Sequence, residues 1–280
     1  IKLLKFTKKK FSKKYINTKI IPIIKYIVNS DKKKFLISGS QGIGKSTLIK
    51  IFKDNIEKYF KKRILTLNLD DYYLSKNKRE KLSKTKHNLF KTRGVPGTHD
   101  VHTLKKNIND FEKSIYPIII PVFDKLTDNR SNKIRKEKEK KDILILEGWC
   151  CGCPPIEKKY LDKNINELER LEDKDKIWRN HFNKNLDNEY KKIFKIFEKI
   201  IFMKASSFKF VLNWRSKQEK MNNSNQKNYS KMSREEMLYF ISHYEKITKW
   251  MIKKLPNTAD LVININDKQE ITKNKFINTD

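Results

Sequence analysis

Gly39-Ser40-Gln41-Gly42-Ile43-Gly44-Lys45-Ser46-Thr47 follows the pattern G-x-x-x-x-G-K-[ST]. Glycines at this spacing let the backbone curl tightly, so that successive N–H groups point inward at phosphate oxygens. Lys45 is expected to reach the outer phosphates of a nucleotide, and the Ser46 hydroxyl to join the shell of a Mg2+ ion. The flanks agree with that reading. Lys34 to Ser38 is a short apolar run that suits a buried strand. Leu48, Ile49, Ile51, Phe52, Ile56 and Phe60 recur at helical spacing. A helix there would aim the positive end of its dipole at the same anion.

Further runs extend the pattern outward. Arg63 to Leu69 reads as a second strand, ending in Asp70-Asp71-Tyr72-Tyr73. Carboxylates at a strand's carboxyl end sit where doubly wound sheets place their ligands, so Asp70, Asp71 and Tyr73 are candidate site residues. Tyr116 to Phe123 is extended and runs into Asp124-Lys125. Asp142 to Leu146 is an apolar strand ending in Glu147. An acid so placed downstream of a phosphate loop can hold a Mg2+ shell. Ile200 to Met203 is another short strand, and Ala259 to Ile265 is expected to close the sheet.

Helical patterns separate these runs. Tyr15 to Val28 is expected to cover one sheet edge, with Pro22 inside it. Ser75 to Lys91 reads as an exposed loop or helix, and Arg130 to Lys141 as a solvated charged run. Ile156 to Lys199 reads as mostly helical. Ser233-Arg234-Glu235-Glu236 carries a helix-start signal ahead of a face bearing Met237, Phe240, Ile241, Tyr244, Ile247 and Met251. Arg93-Gly94-Val95-Pro96-Gly97-Thr98-His99-Asp100 concentrates polar chemistry in a turn-rich stretch. Alternating strands and helices predict a doubly wound parallel α/β sheet.

The chain has 280 residues, enough for one such domain with additions. Its net charge of +32 comes from 65 basic and 33 acidic residues. The lysines are dispersed rather than interleaved with aromatic rings, so a specific nucleic-acid platform is not expected. No run approaches the roughly 18 apolar residues of a membrane helix, so no membrane partner is expected. The basic stretch Ile1 to Lys14 lacks the apolar core and cleavage site of a secretory signal, although the chain starts without Met. Cys150, Cys151 and Cys153 lie together and suggest reduced thiols and a cytoplasmic setting, not a disulfide framework or a zinc site. His87, His181 and His243 read as surface or packing residues, and Trp149 and Trp214 as core.

With these stretches in hand, the chain resembles the D-glycerate 3-kinase family. That family belongs to a wider group with uridine kinases, phosphoribulokinases and pantothenate kinases. The matching stretches are GSQGIGKST, LNLDDYYLS, TRGVPGTHD, PVFDK, ILEGWCCG, WRSKQE, MSREEMLYFISHYEKIT and ADLVINI, in that order from Gly39 to Ile265. The resemblance implies a P-loop NTPase fold with a helical lid over residues 205–234, behind a basic helical extension over residues 1–30. It implies an ATP- and Mg2+-dependent kinase whose partners are ATP and a small glycerate-like acceptor. Asp70 then matches the base towards the acceptor hydroxyl, with Lys45 and Glu147 as the other catalytic residues. Ser46 and Glu147 would hold the metal. Gly39 to Thr47 and Arg215 would bind ATP, with Gln218 also in the lid. Arg93, His99, Asp100 and Asp124 fall in stretches that would face the acceptor. Thr127 to Lys141 and Lys217 to Lys231 are richer in Lys than the family pattern, and both bear on acceptor choice.

Overall fold

The computed structural model describes residues 11–215 and 233–277. Gln218 and most of the lid-like segment therefore lie outside the described residues. Strands β1 (Lys34–Gly39), β2 (Ile64–Asn68), β5 (Ile143–Gly148), β6 (Lys199–Ala205), β7 (Leu261–Ile265) and β8 (Ile271–Phe276) form one sheet in the order β2-β5-β1-β6-β7-β8. The pairings from β2 through β7 are parallel. β7 does not close the sheet as expected: β8 pairs with it antiparallel as a further edge strand. Its sequence, Ile-Thr-Lys-Asn-Lys-Phe, is polar because most of the strand is solvent-facing.

The central strands are apolar on both faces, as parallel strands covered by helices on each side must be. In β1, Phe35 and Ile37 face one apolar layer while Leu36 faces the other. β5 repeats this, with Ile143 and Ile145 opposite Leu144 and Leu146. Helices α1 (Ile21–Asn29) and α2 (Lys45–Phe60) cover the first face. Pro22 is accommodated directly after a π-helical turn, Ile16–Ile20, whose wider winding precedes α1. The Tyr15 to Val28 segment lies on this face rather than only along an edge. It also reaches β8, where Asn274 donates to the Lys19 carbonyl at 2.8 Å.

The second face is covered by helices α3 (Lys76–Thr85), α4 (Val101–Glu112), α5 (Ile177–Asn185) and α6 (Arg234–Lys254) with their connections. The charged Ile156 to Lys199 stretch is held against α6 by buried ions. Arg179, fully buried, donates through Nε to Asp173 at 2.6 Å, and Lys246 of α6 lies 3.2 Å from Glu169. A buried charge needs such partners, since removing one leaves the other stranded. This fastening fixes the face of α6 that carries Phe240 and Tyr244. No described helix is long and apolar enough to cross a membrane.

Two expectations are corrected outside the main sheet. The extended stretch Tyr116 to Phe123 supplies strand β3 (Ile118–Asp124), which pairs antiparallel with β4 (Asn129–Glu137), a strand formed largely by the charged run read as solvated. The charge concealed a real strand because one side of this hairpin is exposed. Arg135 of β4 also donates to the Thr66 carbonyl, tying the hairpin to β2. Likewise, the stretch from Ser75 to Lys91 is anchored by buried Arg79, which donates to the Lys91 carbonyl at 2.6 Å and to Asp128 at 2.8 Å.

Candidate active site

The carboxyl ends of β1, β2 and β5 deliver three groups to one cleft of about 320 Å³. Register brings them together. In the sheet Glu147 pairs with Ile37 of β1 on one side and Asn68 of β2 on the other. The phosphate loop follows β1, Asp70 follows β2, and Glu147 ends β5. The cleft lining includes Gln41, Gly42, Gly44, Lys45, Ser46 and Thr47 at one end. Asp70, Tyr73, Arg93, Lys125, Phe240 and Tyr244 also line it.

The loop adopts the conformation its glycines permit. Gly42 has φ +72°, and a Cβ there would stand 2.8 Å from the Cβ of Trp214. Trp214 packs over the loop while its Nε1 donates to the Asp267 carbonyl at 2.7 Å. Gln269, from the β7–β8 turn, donates to the Gly42 carbonyl. Lys45 opens α2, and its Nζ donates to the carbonyls of Gly39 at 2.7 Å and Ser40 at 3.0 Å. Burial lowers its pKa, opposed by the nearby charges of Glu147 and Asp70. Ser46 Oγ donates to Glu147 Oε2 at 3.1 Å. Burial raises the Glu147 pKa, against the pull of Lys45 and Ser46.

Asp70 lies in a short turn, Leu69–Tyr72, whose start is capped by the Asn68 side chain accepting from the Asp70 N–H at 3.0 Å. Both carboxylate oxygens are engaged. Oδ1 accepts from the Tyr73 hydroxyl at 2.8 Å, and Oδ2 lies 2.6 Å from Lys125 Nζ. Burial alone would raise its pKa, but the Lys125 ammonium and the Tyr73 hydroxyl hold it well below the usual carboxylate range.

The other acceptor-side candidates are placed differently from one another. Tyr73 and Arg93 line the cleft, whereas Asp71, His99, Asp100 and Asp124 do not. His99 lies behind Tyr73, with ring centroids 4.7 Å apart, and its Nδ1 is 2.5 Å from the Tyr190 hydroxyl. Burial pushes its pKa down to about 3, so the imidazole is neutral near pH 7. Asp100 caps α4, accepting from the Thr103 N–H at 3.1 Å and its hydroxyl at 2.9 Å. Asp124 caps the β3–β4 turn through the Leu126 N–H at 2.9 Å and the Thr127 hydroxyl at 3.0 Å. Asp71 sits beside Asp70, with its pKa raised by burial against the influence of Arg135. Arg93 is paired with Asp128 and lies over the rings of Phe123 and Phe240 at 5.5 and 5.9 Å.

Sequence reasoning missed Lys125, Phe240, Tyr244 and Gln269; Trp149 and Trp214, read as core, are buried in it and also border the cleft. Lys125 stands one residue beyond Asp124 in the PVFDK stretch, so the segment was identified but not its cleft-facing side chain. Phe240 and Tyr244, four residues apart, share a helix face that serves both core and cleft. Nothing local marked Gln269.

Tyr244 sits tightly against the turn that carries Arg93. Its hydroxyl donates to the Arg93 carbonyl at 2.5 Å. Gly94, at φ +123°, leaves no room for a side chain: an added Cβ would lie 2.3 Å from Tyr244 Cε1. Gly94→Ala is therefore expected to destabilise the protein by about 1–3 kcal/mol through overpacking and backbone strain. Urea unfolding would show this as a lower midpoint, and an unchanged midpoint would refute the close packing.

No protein-family model matches the chain. An uncharacterized kinase of Schizosaccharomyces pombe is 28% identical over 237 residues, covering 80% of this chain and 83% of the relative. The chloroplastic D-glycerate 3-kinase of Arabidopsis thaliana is 27% identical over 219 residues, covering 74% of this chain but only 45% of that protein. The solved D-glycerate 3-kinase of Cryptococcus neoformans superposes with a TM-score of 0.73 at 22% identity, over 92% of this chain and 99% of that one. The chain is a P-loop kinase. The mostly parallel sheet that the alternation of strands and helices predicted carries the kinase's phosphate loop, Asp70 and Glu147 at the carboxyl ends of β1, β2 and β5.

Proposed function

We propose that this kinase transfers the γ-phosphoryl group of ATP to a hydroxyl of D-glycerate. The observation that carries the reading is the convergence of Lys45, Glu147 and Asp70 on one cleft that Lys125 and Arg93 also line. Such cations suit a small acceptor bearing a carboxylate. The similarity to D-glycerate 3-kinases favours glycerate over a nucleoside.

Mg2+ fits the donor set. No group of three or more His, Cys, Asp or Glu gathers among the described residues. Mg2+ is commonly held by one or two protein oxygens plus phosphates and water, and Ser46 Oγ and Glu147 Oε2 are two hard oxygens 3.1 Å apart. These two residues would hold the ion, which supplies charge neutralisation on the phosphates. The chain's own groups would do the rest. Loop N–H groups and the α2 N-terminus would cradle the phosphates, Lys45 would offset charge on the transferring group, and Asp70 would take the acceptor's proton. The acceptor oxygen forms a bond to the γ-phosphorus as the bond to the bridging oxygen breaks, its electron pair leaving with ADP.

An acceptor panel tests the reading. Purified protein with Mg2+ and ATP is expected to release ADP and form a phosphomonoester with D-glycerate, followed by phosphorus NMR. Turnover of uridine with none of glycerate would overturn it.

A further inference from the structure

Both Asp70 oxygens are engaged; each keeps a lone pair, but the Lys125 ammonium on Oδ2 lowers the basicity of the carboxylate. Tyr73 belongs to the same turn as Asp70 and packs against His99 and Phe123, so its hydroxyl bond is built in. Lys125 is different. It comes from the turn of the β3–β4 hairpin, outside the main sheet, and its side chain is 53% exposed against 25% for Asp70. Arg93 and Lys45, which also line the cleft, have their own anchors: Arg93 pairs with Asp128, and Lys45 donates to two loop carbonyls. The cleft ammonium most able to move is therefore the one that holds down the basicity of Asp70.

We propose that Lys125 is the receptor for an anionic group on the acceptor, and that its transfer from Asp70 to that anion frees the base. The inference rests on the reading of Asp70 as the proton acceptor. Three physical arguments support it. Lys125 is more than half exposed, so water can solvate its ammonium as it leaves the pair. Exchanging the Asp70 carboxylate for an acceptor carboxylate conserves the charge pairing of Lys125. Once Lys125 has left, the attraction that holds Asp70 in its charged form weakens, so the carboxylate becomes a better base. A neutral alcohol can offer Lys125 no comparable partner, and Asp70 stays engaged. The proton then passes from the acceptor hydroxyl to Asp70 as the new O–P bond forms and the bond to the ADP oxygen breaks.

Matched acceptor pairs test this: D-glycerate with glycerol, and pantothenate with pantothenol. The wild-type kinase is expected to prefer the anionic member of a pair by about 100-fold or more in kcat/KM. Lys125→Met is expected to collapse that preference, with the loss in the KM for the anionic acceptor and not in the KM for ATP. Lys125→Arg should keep most of it. Calorimetric binding of D-glycerate, with Mg2+ and a non-hydrolysable ATP analogue present, should weaken about tenfold or more in Lys125→Met. A wild type that uses both members alike overturns the proposal. So does a Lys125→Met variant that loses activity on both in the same proportion, since that marks a merely structural role. Turnover of pantothenate but not pantothenol, with glycerate refused, would support the proposal while defeating glycerate as the acceptor. If no anionic member is bound or turned over, both fall.

Discussion

Lys45→Ala is expected to lower phosphoryl transfer by about 10³-fold or more while leaving the fold intact. Removing one donor aimed at developing charge typically lowers turnover by about 10²–10³. Lys45 adds a full positive charge in a buried site where little water screens it. Stability should change little. Burying an ammonium is unfavourable, which offsets the two hydrogen bonds to the Gly39 and Ser40 carbonyls that the substitution removes. Activity with saturating ATP, read beside thermal unfolding of the same preparation, decides the matter. Near-normal turnover by a folded variant would mean that the loop does not hold the transferring phosphate.

Asp70→Asn is expected to reduce turnover by about 10²–10⁴, the usual contribution of general-base assistance. The substitution preserves shape: the amide oxygen can still accept from Tyr73. It removes the negative charge and nearly all basicity. Lys125 then loses its partner, so acceptor binding should survive even as turnover collapses. Binding of Mg-ATP should survive too. That separates the assignment from two competitors. If metal-dependent ATP binding fails together with turnover, Asp70 serves the metal. If turnover falls only a few-fold, the residue fastens the Asn68–Tyr73 turn and the proton leaves by another route.

Features encoded within a few consecutive residues were legible from sequence. The phosphate loop, the strand ending in Glu147 and the strand ending in Asp70 each combine an apolar run with a polar terminus, and parallel pairing then gathers such termini at one side of the sheet. Asp100 and Asp124 show the limit of that logic. Both stand in the right stretches, but each satisfies N–H groups of its own turn, a role that short acidic side chains fill wherever a helix or turn begins. Strand β4 was obscured because its charged residues face water on one side. Lys125 was missed because choosing between neighbours at a strand end requires knowing which side chain turns inward. Gln269 reaches the loop from 227 positions away, a proximity that only the folded chain creates.

The β3–β4 hairpin has a consequence for how this enzyme can diversify. Its turn region supplies Lys125 to the cleft and Asp128, which holds both Arg79 and Arg93. The phosphate loop, Asp70 and Glu147 belong to the parallel sheet instead. Insertions or substitutions in the hairpin could therefore change what is phosphorylated without touching how phosphate is held. On the proposed roles, acceptor preference and nucleotide chemistry rest on different segments of one chain, so substitutions can alter one while selection preserves the other.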